Sequence, residues 1–302
     1  MRRRPPAPAP GRRRVWLAAG ALLLATGGCT AEPAAGDAAL EVVAAFYPLA
    51  YAAERVGGEQ VAVDNLAPPG VEPHDLELTP SQVADIAGAD VVIYLAGFQP
   101  AVDEAVAANA DDTAVNAADS VPLLETAGNH GPDAHFWLDP DRLAGFATAL
   151  AAEFGERDPD HADAYQANAA ALADDLAALD QAYADGLADC ERREIVVSHA
   201  AFGYLADRYQ LTQIAVSGLT PEAEPSPQAL AEVVDQARAH GATTIFFEVL
   251  VSPEVAQVIA DEVGADTAVL DPIEGLAPDR TDDYLSLMRN NLATLRTALG
   301  CS

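Results

Sequence analysis

From Leu40 onward the chain alternates short, nearly all-apolar runs with longer amphipathic stretches. That rhythm belongs to βα units around parallel sheets, whose strands are covered by helices on both faces and so need no polar side. In the first half the pattern predicts strands over Glu41–Phe46, Val61–Leu66, Val91–Leu95 and Thr113–Asn116, with helices over Leu49–Val56, Pro80–Ala87 and Pro100–Ala108. The second half repeats the scheme. Its strands fall near Glu194–Ser198, Leu211–Ala215, Thr243–Glu248 and Ala268–Leu270, and its helices near Phe202–Arg208, Pro227–His240, Pro253–Val263 and Thr281–Leu299.

A different kind of sequence separates the halves. Asp160 to Asp189 has no proline and no glycine before Gly186, and Leu172, Leu176, Leu179 and Tyr183 recur at three- or four-residue steps. One apolar stripe on one long helix is the expectation, about 45 Å if the whole stretch is helical. The predicted fold is therefore α/β, with two lobes, each a parallel β-sheet flanked by helices, joined by one long rigid linker helix. Residues 40–159 would form the N-terminal lobe, 160–189 the linker and 190–302 the C-terminal lobe. Asp119 to Pro132, rich in turn formers, reads as a mobile loop.

The N-terminus changes the setting. Arg2, Arg3, Arg4, Arg12, Arg13 and Arg14 precede a short apolar stretch, Val15 to Ala25, which is too short to span a bilayer comfortably. This is an export signal over residues 1–28. It closes on Leu24-Ala25-Thr26-Gly27-Gly28-Cys29, which resembles a bacterial lipoprotein cleavage site and would place a lipid on Cys29. A plain signal with an incidental cysteine is the alternative. Residues 29–39 would then be a tether, leaving the protein outside the cytoplasm at the outer face of the membrane.

Charge excludes one class of partner. Six of the 16 basic residues and none of the 47 acidic ones precede Cys29, so the net charge of −31 becomes −37 beyond the signal. Such a surface repels nucleic acid. With Cys29 lipidated, Cys190 and Cys301 are left as the one possible disulfide in an oxidising compartment, two free buried thiols being the alternative.

Three of the six histidines stand in separate short motifs: His74 in Glu72-Pro73-His74-Asp75, His135 in Asp133-Ala134-His135-Phe136-Trp137, and His199 in Val197-Ser198-His199. Neutral imidazoles brought from distant segments suit a borderline-soft divalent cation. His199 directly follows a predicted strand, where parallel α/β folds place ligands. Phe136 and Trp137 would pack beneath the site. Glu248 ends an apolar strand and needs a partner, either the back nitrogen of a ligand histidine or a structural cation; Asp75 and Asp139 carry the same two readings. His130, His161 and His240 are assigned to solvent or helix surfaces.

These motifs, with Phe46-Tyr47-Pro48, Glu224-Pro225-Ser226, Ile245-Phe246-Phe247-Glu248 and Leu270-Asp271-Pro272-Ile273-Glu274-Gly275-Leu276, resemble the solute-binding lipoproteins of zinc/manganese ABC importers. The resemblance covers nearly the whole chain after the signal. It implies a non-catalytic protein, a monomer, holding a metal in the cleft between lobes and passing it to a membrane permease. It implies His74 and His135 as ligands from one lobe and His199 from the other. A late carboxylate or a water completes the set; Glu274 is favoured over Asp271. Three imidazoles point to Zn²⁺ as the transported ion rather than manganese or iron. A zinc hydrolase would need a base such as Glu72 or Glu248, and the chain has no His-Glu-x-x-His. An adhesin role has no independent support in the sequence.

Overall fold

The computed structural model describes residues 39–110, 112–126, 131–221 and 225–302. Cys29, most of the tether, His130 and Glu224 lie outside them. The first half runs β1 (Leu40–Ala44), α1 (Tyr47–Gly57), β2 (Val61–Asn65), α2 (Pro80–Gly88), β3 (Val91–Tyr94), α3 (Pro100–Asn109) and β4 (Ala114–Asn116). Its four strands pair in parallel in the order β2-β1-β3-β4. A two-stranded antiparallel hairpin follows, β5 (Leu124–Glu125) with β6 (Pro132–Asp133), and then α4 (Pro140–Arg157) and α5 (Ala162–Gly186). The second half runs β7 (Glu194–Val197), α6 (Gly203–Tyr209), β8 (Thr212–Ala215), α7 (Pro227–Ala239), β9 (Thr244–Phe247), α8 (Glu254–Val263), β10 (Asp266–Val269) and α9 (Tyr284–Leu299). Its sheet is also parallel, in the order β10-β9-β7-β8. No helix among the described residues is long and apolar enough to cross a membrane.

Local chemistry explains where the helices begin. Thr79 and Gln82 form a reciprocal capping box at α2, with Pro80 fixing the first helical turn. Asp139 caps α4 by accepting from the Asp141 N–H and Ser226 caps α7 by accepting from the Ala229 N–H, each followed by proline. The apolar stripe on α5 is buried through Leu172, Leu176, Leu179 and Tyr183. The long helix stops at Gly186, so it is about 38 Å long rather than the 45 Å that thirty residues would give.

Two features depart from the sequence reading. Helix α4 turns back along α5 after a short 3-10 segment at Pro159–His161, burying Leu143, Phe146, Leu150 and Phe154. In the segment read as a mobile loop, Leu124–Glu125 pairs with Pro132–Asp133 as a short antiparallel ladder.

The main hydrophobic core runs without interruption from the first sheet through α4, α5 and α9 into Phe202, Tyr204, Leu270 and Ile273 of the second half. A smaller core lies between the second sheet and helices α7 and α8, around Val196, Ile245 and Ile259. Tyr284 on α9 donates its hydroxyl to Trp137 O at 2.5 Å, and Tyr183 on α5 donates to Met288 O at 2.7 Å. The lobes are thus joined through packed aromatic residues as well as through the chain. Cys190 and Cys301 form a disulfide beside the C-terminus of α9.

Candidate metal centre

In each parallel sheet the chain reverses its direction of travel across the sheet at one place, and the loops leaving the strands diverge there to open a crevice. In the second sheet that place is between β7 and β9. His199 leaves the carboxyl end of β7 and Glu248 that of β9, and the Glu248 carboxylate accepts from His199 Nδ1 at 2.7 Å. From the first half, His74 sits in a 3-10 turn at Pro73–Asp75, with its ring against Phe98 at 4.3 Å between centroids. His135 follows β6, and its ring lies 5.2 Å from that of the fully buried Trp137.

Glu274 comes from the loop between β10 and α9. Ile273, directly before it, has φ 58°, a conformation unfavourable for a β-branched residue by about 1–3 kcal/mol. Surrounding bonds impose it. Asp271 Oδ1 accepts from the Ile273 N–H at 2.9 Å, Trp137 Nε1 donates to Pro272 O at 2.7 Å, and Asn291 bonds both backbone groups of Asp271. Asp271 also pairs with Arg280 at 3.1 Å. It stands behind the loop as a support, and Glu274 is the carboxylate that faces the histidines.

The result is one closed cluster. Donor atoms of His74, His135, His199 and Glu274 all lie within 4.8 Å of one another. Glu274 Oε1 is 3.1 Å from both His135 Nε2 and His199 Nε2, which are themselves 3.4 Å apart. A tetrahedral zinc with ligands near 2.0–2.1 Å requires neighbouring donors about 3.3 Å apart. His74 Nε2 stands 3.6 Å from Glu274 Oε2, is buried, and has no hydrogen-bond partner. With no hydrogen-bond partner in reach, that buried nitrogen is free to serve as the fourth donor to a cation held by the other three. The four side chains are between 0 and 4 % exposed.

Carboxylates behind two of the rings fix which nitrogen faces inward. Asp133 Oδ1 meets His135 Nδ1 at 2.7 Å and accepts from the His135 N–H at 2.9 Å. Glu248 does the same work for His199, so both rings carry hydrogen on Nδ1 and present Nε2. Asp133 was not foreseen; its only sequence trace is the Asp-x-His spacing. Asp139 pairs with Arg142 and Arg208, while Asp75 is exposed. His161 pairs with Asp158 and His240 with Glu194 at the surface.

Electrostatics follow from this packing. Burial alone would push His199 toward neutrality, but the Glu274 charge and the Glu248 hydrogen bond more than reverse it, holding its affinity for a proton well above the ordinary range. His135 is raised for the same reasons, burial being outweighed by Asp133 and Glu274. Burial acting on Glu274 is overcome by the His199 charge and by hydrogen bonds from His135 and His199, and its carboxyl falls well below the usual range. Asp271 is pushed up to about 6 by burial, against the Ile273 N–H and Arg280.

Residues 42–298 match the family described as zinc-uptake complex component A, periplasmic. The chain belongs to that family. It is 32% identical to the high-affinity zinc uptake system protein ZnuA of Bacillus subtilis, over 94% of this chain and 96% of the relative. It is 33% identical to the zinc-binding lipoprotein AdcA of Streptococcus pneumoniae over 86% of its length, but spans only 56% of that longer protein. The Zn(II)-bound ZnuA-like domain of AdcA superposes with a TM-score of 0.75 at 32% identity, covering 86% of this chain and 99% of the domain. The laminin-binding protein Lmb of Streptococcus agalactiae, described as having adhesin and metal-transporting activity, gives 0.77 at 31% identity, with coverage of 86% and 99%. The family consists of extracytoplasmic binding components of zinc uptake, not enzymes. Glu248, which a hydrolase could have used as a base, is instead bonded to His199 Nδ1 at 2.7 Å.

Proposed function

We propose that His74, His135, His199 and Glu274 together bind one Zn²⁺, and that the protein captures the ion outside the cell membrane and delivers it to an ABC importer permease. The supporting observation is the spacing of the four donors, which fits a tetrahedral ion with three imidazoles and one carboxylate. Three neutral imidazoles and one carboxylate leave a charge of +1 on the bound ion, which the Asp133 and Glu248 carboxylates offset from behind. We further propose that a lipid on Cys29 tethers the chain, that residues 40–159 and 190–302 act as the two metal-gripping lobes about the 160–189 linker, and that the protein works as a monomer.

Calorimetry with a competing chelator, using wild type and His199→Ala, tests the site. The variant should lose zinc affinity by orders of magnitude while its far-ultraviolet spectrum is unchanged. Equal affinity in the two proteins would remove His199 from the site. Elemental analysis of protein purified without added metal, paired with zinc–manganese competition, tests the choice of ion. Cys29→Ala should release the protein from membranes.

A further inference from the structure

We infer that Tyr204 and Gly203, which belong to the lobe carrying His199, are positioning residues for His135 of the opposite lobe, acting through Asp133. This deepens the metal-site reading above and rests on it. The Tyr204 hydroxyl accepts from the Leu124 N–H at 2.7 Å and donates to Asp133 O at 2.7 Å. Leu124 and Asp133 are directly opposed in the β5–β6 pair, so a single phenol oxygen from the other lobe bridges this short ladder. Two residues per strand cannot hold a register alone. Arg142 on α4 stacks its guanidinium 4.8 Å from the centre of the Tyr204 ring, and the ring is buried.

Gly203 sets the carboxylate itself. A Cβ at position 203 would overlap Asp133 Oδ2. The absence of a side chain lets that oxygen lie against the start of α6, which turns Oδ1 toward His135 Nδ1. A cavity of about 330 Å³ beside the pair, lined by Asp133, Ala200, Gly203 and Gln213 among others, gives the carboxylate room to swing away once the backbone hold is lost. Because α6 begins four residues after His199, the lobe that presents one ligand also aims another. Orientation of His135 is thereby coupled to the docking of the lobes.

The experiment is a double-mutant cycle on zinc affinity, measured by chelator competition at fixed pH. Tyr204→Phe should weaken zinc binding about tenfold, the scale on which groups behind a metal ligand act. In an Asp133→Ala background the same substitution should change affinity less than twofold, because the backbone bond would remain but no carboxylate would be left to aim. Equal losses in both backgrounds would show a merely structural role, and no loss in the wild-type background would show none; either overturns the inference. Gly203→Ala reaches the same carboxylate without touching the hydroxyl and should show the same dependence on Asp133, which keeps the test decisive should Tyr204→Phe fold poorly. Wild-type protein that fails to bind zinc would overturn the metal-site reading and the brace with it; wild-type binding with unaltered variants would overturn the brace alone.

Discussion

Replacing Glu248 by Gln isolates the charge behind His199. The side chain is 3% exposed and its oxygen is 2.7 Å from His199 Nδ1, so Gln keeps the shape and an acceptor while removing the negative charge. Removing such a group weakens metal binding by roughly 10- to 100-fold, or about 1.4–2.7 kcal/mol. The loss must itself depend on pH. Glu248 helps to raise the proton affinity of His199, so the wild-type site also meets stronger proton competition. As pH falls through the raised His199 value, the wild-type apparent affinity begins to decline first, and the ratio of the two affinities shrinks. At pH values above that range the full ratio should appear. Chelator-competition titrations of both proteins at several pH values read this directly. A ratio near one at high pH, or one that widens as the solution is acidified, would refute the reasoning.

Metal-free protein should lose thermal stability as pH rises from the ordinary histidine value of about 6.5 through the higher folded-state values of His135 and His199, since their stabilising protons are present below that window and lost across it. Zinc-loaded protein should gain stability over the same interval, and fluorimetric melting with and without chelator would show opposite slopes. Cys301→Ser opens a disulfide spanning 111 residues of sequence; the chain-entropy treatment gives a ceiling of about 4.8 kcal/mol, so a loss between about 2 kcal/mol and that ceiling is expected in denaturant titrations and an unchanged midpoint would contradict it. The continuous aromatic core between the lobes predicts only small movement on binding. X-ray scattering of metal-free and zinc-loaded protein should superimpose, and a large change in radius of gyration would contradict a rigid joint.

Much of the fold was legible because its signals are local. Parallel strands such as Val91–Tyr94 are apolar on both faces, and the α5 stripe recurs at helical spacing, so periodicity alone finds them. Helix α4 was missed although Asp139-Pro140 is a good start signal. Gly145 and Gly155 interrupt it and weaken its propensity, and its stability comes from burying Leu143, Phe146, Leu150 and Phe154 against its neighbours. The β5–β6 pair is too short for any period to register, and Tyr204 holds it from another lobe.

The sequence by itself determined the alternation of elements, the acidic balance and the identity of the imidazoles, because composition, capping and strand-end position are written in consecutive residues. Only the tertiary structure decided that Glu274, and not Asp271, faces the histidines, since the left-handed Ile273 turn points one carboxylate into the cluster and the other toward Arg280. It also decided that Asp133 and Glu248 stand behind His135 and His199. Spacing in sequence cannot carry that information: His199 and Glu248 are 49 residues apart, and His135 and Glu274 are 139 apart, and only the folding of both lobes around one core brings their atoms to about 3 Å.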